Sequence, residues 1–283
     1  MTSEWHEVPL RELVGDISKG IAPSYAEEAS ETTIRVLNQK CNRNFRISYG
    51  DSRLHDTLKK KVPPERYVKP DDILINSTGA GTAGRIAQIE DVPSATTIDG
   101  HMILIRSNGR VTQKFLGYAL KAHQWEVLQL DEGSTGQTEL NRDRLLDEIM
   151  INYPVSFDEQ NAIVGTLESI DRKFIVNEQL NDNLEQQAQA IYHERFETVS
   201  PNDLPSDWRI VTLGEVATIS NKSFNPLKEP EILLEHYSIP AFDEARFPVF
   251  ELSTSIKSNK FIIDASCFMI SKLNPTTKRV WKP

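Results

Sequence analysis

One continuous stretch, residues 156–196, has a helical repeat of apolar residues that is too long for a compact domain. The apolar side chains recur at alternating spacings of three and four, which places them on one helix face. About 40 residues at a rise of 1.5 Å per residue would form a rod of roughly 60 Å. The pattern predicts a spacer or partner-binding helix, and a long core helix of one large domain is the alternative. The predicted stripe consists of Ile163, Leu167, Ile170, Phe174, Leu184, Ala188 and Ile191.

Local signals mark both ends of this helix. Pro154 ends the preceding segment, and Ser156 with Glu159 three residues later has the spacing of a capping box. Ser200 and Pro201 are typical of the segment that follows a helix. The helix is therefore expected to separate two other parts of the chain.

Composition is that of a globular protein long enough for two domains, with 283 residues, 39% hydrophobic and 26% charged. The two cysteines, Cys41 and Cys267, are too few for a disulfide framework or a cysteine metal site. A reducing, cytoplasmic compartment is therefore expected. The first residues lack the apolar core of a signal peptide, and no apolar run approaches the roughly 18 residues that span a membrane.

The net charge of −9 is distributed unevenly along the chain. Residues 151–206 have three basic and ten acidic side chains, whereas residues 35–69 have ten basic and three acidic ones. The second stretch is a candidate phosphate-facing patch, and an ordinary solvated face is the equally weighted alternative. Its basic residues are Arg35, Lys40, Arg43, Arg46, Arg53, Lys59, Lys60, Lys61, Arg66 and Lys69.

The opening of the chain is repeated after the long helix. Trp5-x-x-Val8-x-Leu10-x-Glu12 returns as Trp208-x-x-Val211-x-Leu213-x-Glu215, and residues 69–86 align without a gap to residues 263–280. Residues 38–69 are predicted to be irregular. Strands are predicted at 34–37, 72–76, 85–89, 101–106 and 151–153, and helices at 112–130 and 141–150.

These patterns predict an α+β fold with three parts. The first domain is expected at 1–153, the spacer helix at 154–200, and the N-terminal part of a second, similar domain at 201–283. No counterpart of residues 87–153 follows the repeat, so we expect the second domain to be incomplete and the chain truncated.

No catalytic arrangement can be recognised in the sequence. Gly79-x-Gly81-x-x-Gly84 follows a strand, but the residues after it lack helical periodicity, which argues against a dinucleotide fingerprint. A turn that approaches phosphate beside Arg85 and a plain hairpin turn remain as interpretations. The six histidines lack zinc-site spacing, and an Asn-Pro-Pro-aromatic motif is absent. The chain is expected to be non-catalytic and not to methylate by itself.

Polar loops instead favour contacts with DNA. Arginine can bind guanine through two hydrogen bonds, and asparagine or glutamine can bind adenine, in the major groove. Each residue taken alone is more often a solvated loop residue. The candidates are Asn38, Gln39, Lys40, Arg43, Asn76, Ser77, Thr78, Arg85, Ser134, Thr135 and Gln137.

The sequence resembles the specificity (S) subunit of type I restriction–modification systems. The resemblance covers nearly the whole chain, and the helix entry is its most specific part. The motifs that carry it are Trp5-x-x-Val8-x-Leu10, Lys69-Pro70-Asp71-Asp72-Ile73-Leu74, Gly133-Ser134-Thr135-Gly136-Gln137 and Pro154-x-x-x-Asp158-Glu159-Gln160-x-x-Ile163-Val164. The chain departs from the family in lacking the second half of the second domain and a second helix.

The resemblance implies that each recognition domain reads half of a bipartite site in double-stranded DNA, while the helices set the spacing. Methyltransferase (M) subunits would dock on the helices, and restriction (R) subunits would join them. S-adenosylmethionine, ATP and magnesium would belong to those partners, and this chain would have no cofactor. A homodimer through the long helix is a further expectation. The alternatives are a coiled-coil scaffold that binds protein and, with less support, a free-standing nuclease or methyltransferase.

Overall fold

Short apolar runs bounded by polar turns form the strands of the first compact unit, Met1–Ala188. The computed structural model describes residues 4–79, 81–132, 139–200, 202–274 and 276–283. The strands of this unit are β1 (Trp5–Pro9), β2 (Val14–Lys19), β3 (Tyr25–Ala26), β4 (Thr33–Leu37), β5 (Asn42–Arg43), β6 (Arg46–Ile47), β7 (Arg53–Asp56), β8 (Ile73–Asn76), β9 (Ile86–Gln88), β10 (Thr96–Ile98), β11 (Met102–Ser107), β12 (Asp131–Glu132), β13 (Glu139–Leu140) and β14 (Met150–Pro154). Its helices are α1 (Gln113–Ala122), α2 (Gln124–Val127), α3 (Arg142–Glu148) and α4 (Phe157–Tyr192).

An antiparallel sheet of four strands, in the order β2-β11-β8-β9, lies at the centre of this unit. Successive side chains of a strand point to opposite faces, and here both faces are covered. Ile73 and Ile75 of β8 pack into the cluster that contains α1 and α3 residues, whereas Leu74 packs into a second cluster with Leu37 and Ile98. Burial on both faces explains why continuous apolar runs mark these strands.

The second cluster is closed by a mixed sheet in the order β10-β4-β7-β3, in which β10 and β4 are parallel. β1 pairs with β14 from Trp5↔Pro154 to Pro9↔Met150. The two ends of the first domain therefore meet in one antiparallel ladder, directly before the long helix.

The predicted long helix is confirmed as α4, and a π-helical turn at His193–Glu197 follows it. The helix begins against the first domain, where Val164 and Gln160 are buried. Gln160 accepts a hydrogen bond from Thr112 N at 2.8 Å and donates one to Pro154 O at 2.9 Å. Because its amide is satisfied on both sides, a polar residue can anchor the helix without a desolvation penalty.

Two predictions about local structure are wrong. The helix expected at 112–130 is divided at His123 into α1 and α2, because the Gln124 side chain binds Gly84 O and Ile86 N and so holds the chain against the start of β9. Residues 38–69, expected to be irregular, contain β5, β6 and β7. Long-range pairing with β4 stabilises β7 despite its polar sequence.

The second unit, Gln189–Pro283, has few buried apolar side chains among its described residues, namely Pro226, Ala241, Pro248 and Ile256. Its helices are α5 (Leu213–Val216) and α6 (Ile239–Ala245). Its strands are β15 (Ser223–Phe224), β16 (Leu233–His236), β17 (Val249–Leu252), β18 (Lys260–Phe261), β19 (Met269–Ile270) and β20 (Val280–Trp281).

The aligned blocks of the internal repeat form similar hairpins. β8 pairs with β9 through Ile75↔Ile86, and β19 pairs with β20 through Ile270↔Val280. The gapless alignment would pair Met269 with Val280, so the second hairpin is shifted by one residue. This likeness of local geometry is consistent with the predicted repeat, whereas an incomplete second recognition domain stays a prediction.

Limited proteolysis of the whole chain is expected to remove the second unit first. Few of its apolar side chains are buried, and Phe261 and Phe268 are about half exposed, so local opening there should cost little free energy. We expect a protected fragment close to residues 1–188, identified by mass spectrometry. Equal resistance of residues 207–283 would contradict this.

An ion pair with a buried carboxylate links β11 to the segment before β8. Arg106 donates to both carboxylate oxygens of Asp72, at 2.7 and 2.8 Å, and also to Tyr67 O at 2.9 Å. The Asp72 side chain is only 4% exposed. The hydrogen bond to this carboxylate raises the pKa of Arg106 above its ordinary value.

Arg106→Met is expected to lower the free energy of unfolding by about 3–5 kcal/mol, because the buried Asp72 carboxylate would lose its partner. The matched control is Arg110→Met, which breaks the exposed 2.7 Å ion pair with Glu12 and should cost far less, because solvent screens an exposed pair. Urea unfolding of both variants measures the difference. Similar losses of unfolding free energy in the two variants would show that the Arg106–Asp72 pair stabilises the fold no more than a surface ion pair.

Candidate nucleic-acid interface

Six strand ends meet at one edge of the first domain. The pairings Ile103↔Lys19 and Met102↔Asn76 bring the end of β2 and the end of β8 to the beginning of β11. The beginning of β9 and the ends of the parallel strands β4 and β10 lie there as well, because Asp99 N donates to Leu37 O. The loops that leave these strands therefore form one surface, which we call the loop edge.

The segment Asn38–Arg43 forms the first part of the loop edge. Asn38 caps the 3-10 helix Gln39–Cys41 by accepting a hydrogen bond from Lys40 N at 2.9 Å, and its amide donates to Asp51 O at 2.8 Å. Lys40 and Arg43 are exposed, and neither side chain has a hydrogen bond or ion pair within the described part of the chain. Both cations are therefore free to meet an anion.

A buried amide network holds this segment to the central sheet. Asn42 donates to Asn76 Oδ1 at 3.2 Å and to Arg85 O at 2.8 Å, and Asn76 donates to Gln39 O at 3.1 Å. Asn42 and Asn76 are both 0% exposed. Because buried amides are costly unless hydrogen-bonded, these contacts fix the two loops against each other.

The glycine-rich turn between β8 and β9 forms the second part. Gly79, Gly81 and Gly84 have φ values of 114°, 69° and 83°, a region that side chains rarely adopt. Gln39 contacts this turn, since a Cβ on Gly79 would lie 2.6 Å from Gln39 Oε1. Arg85 is half-buried at the end of the turn, with one hydrogen bond from Nη2 to Gly81 O at 3.3 Å.

The third part is the short strand β13. Thr78 forms a backbone bridge with Glu139, and Leu140 N donates to Ser77 O at 2.8 Å. The predicted residues Ser134, Thr135 and Gln137 lie outside the described residues. The described residues Glu139 and Leu140, which come later in the chain, lie at the loop edge beside the glycine-rich turn.

The structure thus brings those predicted residues that it describes to one edge but gives them different environments. Lys40 and Arg43 are exposed, and Asn38, Gln39, Thr78 and Arg85 are half-buried. Asn76 and Ser77 are 0% exposed, so in this conformation their side chains lie beneath the surface and connect loops.

Sequence analysis missed three residues of the loop edge. His101 is exposed and lies 2.7 Å from Thr78 Oγ1, Lys19 forms an ion pair with Glu139, and Asn42 forms the network described above. Lys19 ends β2, which pairs with β11, and His101 directly precedes β11, which pairs with β8. Their nearness depends on strand pairing, for which the sequence has no local signal.

One carboxylate lies beneath the loop edge. Asp99 is 4% exposed, and its Oδ1 accepts a hydrogen bond from His101 N at 2.9 Å. Burial raises the pKa of this carboxyl group above its ordinary value.

The helix stripe is mostly open to solvent. Phe174 is 60% exposed, and Leu167, Ile170, Leu184, Ala188 and Ile191 are also exposed. Ile163 differs from the prediction, because it packs against the core of the first domain. Two residues beside the predicted stripe, Val176 and Leu180, are each 53% exposed and widen this apolar surface.

Two kinds of site were not found in the part of the chain that the structure describes. None of its helices combines the length and the apolar character that a membrane crossing needs. Within the same residues, no group of three or more His, Cys, Asp or Glu side chains is arranged to hold a metal ion.

The fold resembles that of a solved S subunit of a type I restriction–modification system. The S subunit from M. genitalium has 17% identity and a TM-score of 0.50, covering 69% of this chain and 46% of that chain. A chain from a structural study of complex assembly and conformational transition in the type I R-M system has 18% identity and a TM-score of 0.47. The match covers 66% of this chain and 43% of that chain. The HsdS subunit from Thermoanaerobacter tengcongensis has 19% identity and a TM-score of 0.39, covering 70% and 41%.

This chain therefore spans less than half the length of these solved subunits. A comparison with curated proteins found no match. The sequence model of the type I restriction modification DNA specificity domain matches residues 2–186, which include the first domain and most of α4. The chain belongs to this family of DNA specificity domains.

Proposed function

We propose that the first domain reads one half of a bipartite site in double-stranded DNA through its loop edge. The observation that carries this proposal is the convergence of Lys40, Arg43 and Arg85 on loops fixed by buried amides. Lysine and arginine bind phosphates, and arginine can also read guanine by two hydrogen bonds. Fixed loops keep these cations in place, which reduces the ordering cost of binding.

The acidic character of the whole chain does not oppose this function. Most of the excess negative charge lies on and around α4, where residues 151–206 have ten acidic and three basic side chains. Interactions between exposed charges are screened beyond about 10 Å at 0.1 M salt. The loop edge can therefore attract DNA while the helix keeps a different charge.

We further propose that α4 sets the distance between two half-sites and binds a partner through its exposed stripe. Burying each large apolar side chain contributes about 1.5–3 kcal/mol, offset by the cost of association. The partner is a methyltransferase subunit or a second, antiparallel copy of this chain. In such a dimer Asn177 and Asn181, near the middle of the stripe, would pair and could fix the register.

In this proposal the chain itself performs no catalysis. Methyl transfer from S-adenosylmethionine and any ATP- and magnesium-dependent step belong to the methyltransferase and restriction subunits. The rival function is a scaffold that binds protein only. It differs in one measurable respect, because a scaffold would show no preference among DNA sequences.

The DNA proposal is tested with the whole chain by selecting bound duplexes from a random library and measuring affinity by fluorescence anisotropy over a range of salt concentrations. Lys40→Ala and Arg43→Ala are each expected to reduce the slope of log affinity against log salt by about 1, as for the loss of one phosphate contact. Arg85→Ala should cost about 1–3 kcal/mol and relax one base preference if Arg85 reads a base.

Lys69→Ala is the matched control for these variants. Lys69 is an exposed cation without a side-chain partner among the described residues, and it precedes β8, so it lies at the opposite end of the strand from the loop edge. Its removal should leave the salt slope unchanged. Absence of any sequence preference at every salt concentration would refute DNA reading and favour the scaffold.

The helix proposal predicts self-association at micromolar concentration that Phe174→Glu weakens by tenfold or more, since about 1.4 kcal/mol corresponds to tenfold in affinity. Lys173→Glu introduces the same residue at the adjacent, exposed position and should have a smaller effect. Multi-angle light scattering measures the mass of each variant. A monomer with intact helical circular dichroism would exclude the dimer and leave the methyltransferase subunit as the partner.

A further inference from the structure

Beyond its buried beginning, α4 is attached to the first domain by a row of ion pairs. Lys114 Nζ lies 2.5 Å from Glu168, and Lys121 Nζ lies 2.9 Å from Asp171. One helical face presents these carboxylates together with Glu178, because they are three and seven residues apart. Tyr118 also donates to Asp171, at 3.0 Å, and its burial and this carboxylate raise its pKa.

The last ion pair comes from the hairpin next to the loop edge. Arg46 Nη1 lies 2.6 Å from Glu178 Oε2. Arg46 stands on the hairpin of β5 and β6, whose turn residues Asn44 and Phe45 have φ values of 51° and 61°, as in the tight turns that match strand twist. The other strand of this hairpin contains Asn42 of the amide network and the exposed Arg43. One short hairpin thus connects the loop edge to α4.

Among the residues described, the apolar core of the domain includes Ile163 and Val164 of α4 but none of the later helix residues. A cleft of about 260 Å³ lies between α4 and the domain, lined by residues that include Phe45, Ile86, Tyr118 and Ile175. Gly165 lies between the buried Val164 and the first ion pair, and a Cβ at that position would meet no atom within 4 Å. Since glycine is a poor helix former, the helix is weakest between its buried beginning and its ion pairs.

We infer that Arg46, Lys114 and Lys121 are positioning residues that fix the direction in which α4 leaves the loop edge. The functional part of this inference rests on the proposed reading of DNA, because the helix direction then determines how far the loop edge lies from a partner bound along α4. Arg46 links the two most directly, since its hairpin also presents Arg43.

The ion pairs make the helix direction sensitive to salt. Their side chains are between 32% and 65% exposed, and exposed charges are screened as ionic strength rises. Packing against a filled apolar interface would not show this dependence. The distribution of α4 directions should therefore be narrow at low salt and broad at high salt.

The test measures the distance between two spin labels, one at Lys61→Cys in the domain and one at Asp182→Cys on α4, by double electron–electron resonance. Cys267→Ser removes the more accessible native thiol, whereas Cys41 is fully buried and burial raises its pKa, so it should not be labelled. At low salt we expect one narrow distance peak. Arg46→Glu and Lys121→Glu should each abolish that peak in favour of a broad distribution.

Rescue separates positioning from a general effect on folding. The double variant Arg46→Glu with Glu178→Arg should restore the narrow peak, and Gly165→Ala should narrow the broadened distribution of Arg46→Glu. Lys173→Glu, which reverses an exposed and unpaired charge of α4 within the described residues, is the control and should leave the peak unchanged. An unchanged peak in both Arg46→Glu and Lys121→Glu would overturn the inference.

Salt titration of the labelled chain without these charge reversals tests the inference even if a charge-reversal variant fails to fold. Broadening of the peak with salt supports the inference, and a peak that stays narrow up to 1 M salt overturns it. DNA binding is measured separately on Glu178→Arg, whose changed residue lies on α4 and should leave half-site affinity intact. If neither the unchanged chain nor Glu178→Arg binds DNA, the proposed function is wrong, but the distance result still tests the positioning of α4.

Discussion

The hydrogen bonds of two buried asparagines hold the loop edge of this protein together. Asn42 and Asn76 connect the segment that follows β4 with the turn that follows β8, and they bind backbone groups of Gln39 and Arg85 as well. An amide that loses its partner in such a place costs more than the bond itself contributes. The loops are therefore held in one arrangement, and the exposed cations Lys40 and Arg43 are carried on a rigid base rather than on free loops.

The same division between buried and exposed groups organises α4. Its first turns are fixed by Gln160 and Val164 in the core, whereas its middle is attached by ion pairs over a cleft and its later turns expose an apolar stripe. The buried beginning and the ion-paired middle are attached with different strengths, since buried amides are shielded from water and exposed ion pairs are screened by salt. In the proposed function, a domain that reads DNA and a helix that binds a partner would thus be joined by a connection whose direction is adjustable.

Local sequence patterns predicted the structure correctly where one apolar face or one apolar run dominates a segment. The long helix, the buried strand Ile73–Asn76 and membership of the specificity family were all apparent from the sequence, and they are confirmed. Patterns were insufficient for β7, which is polar and depends on β4, and for the break at His123, which depends on Gln124 binding the start of β9. In both cases the deciding contacts come from residues distant in the chain, so tertiary context outweighs local propensity.

The sequence by itself determined the α+β fold, the long helix with its apolar stripe and the set of polar loops worth considering. Only the tertiary structure decided which loop residues face solvent, because burial depends on strand pairing that brings Asn76, His101 and Lys19 to one edge. It also decided that Ile163 joins the core and that Arg46 reaches Glu178. Periodicity reports which side of an element is apolar, but the partner of that side is set by long-range packing.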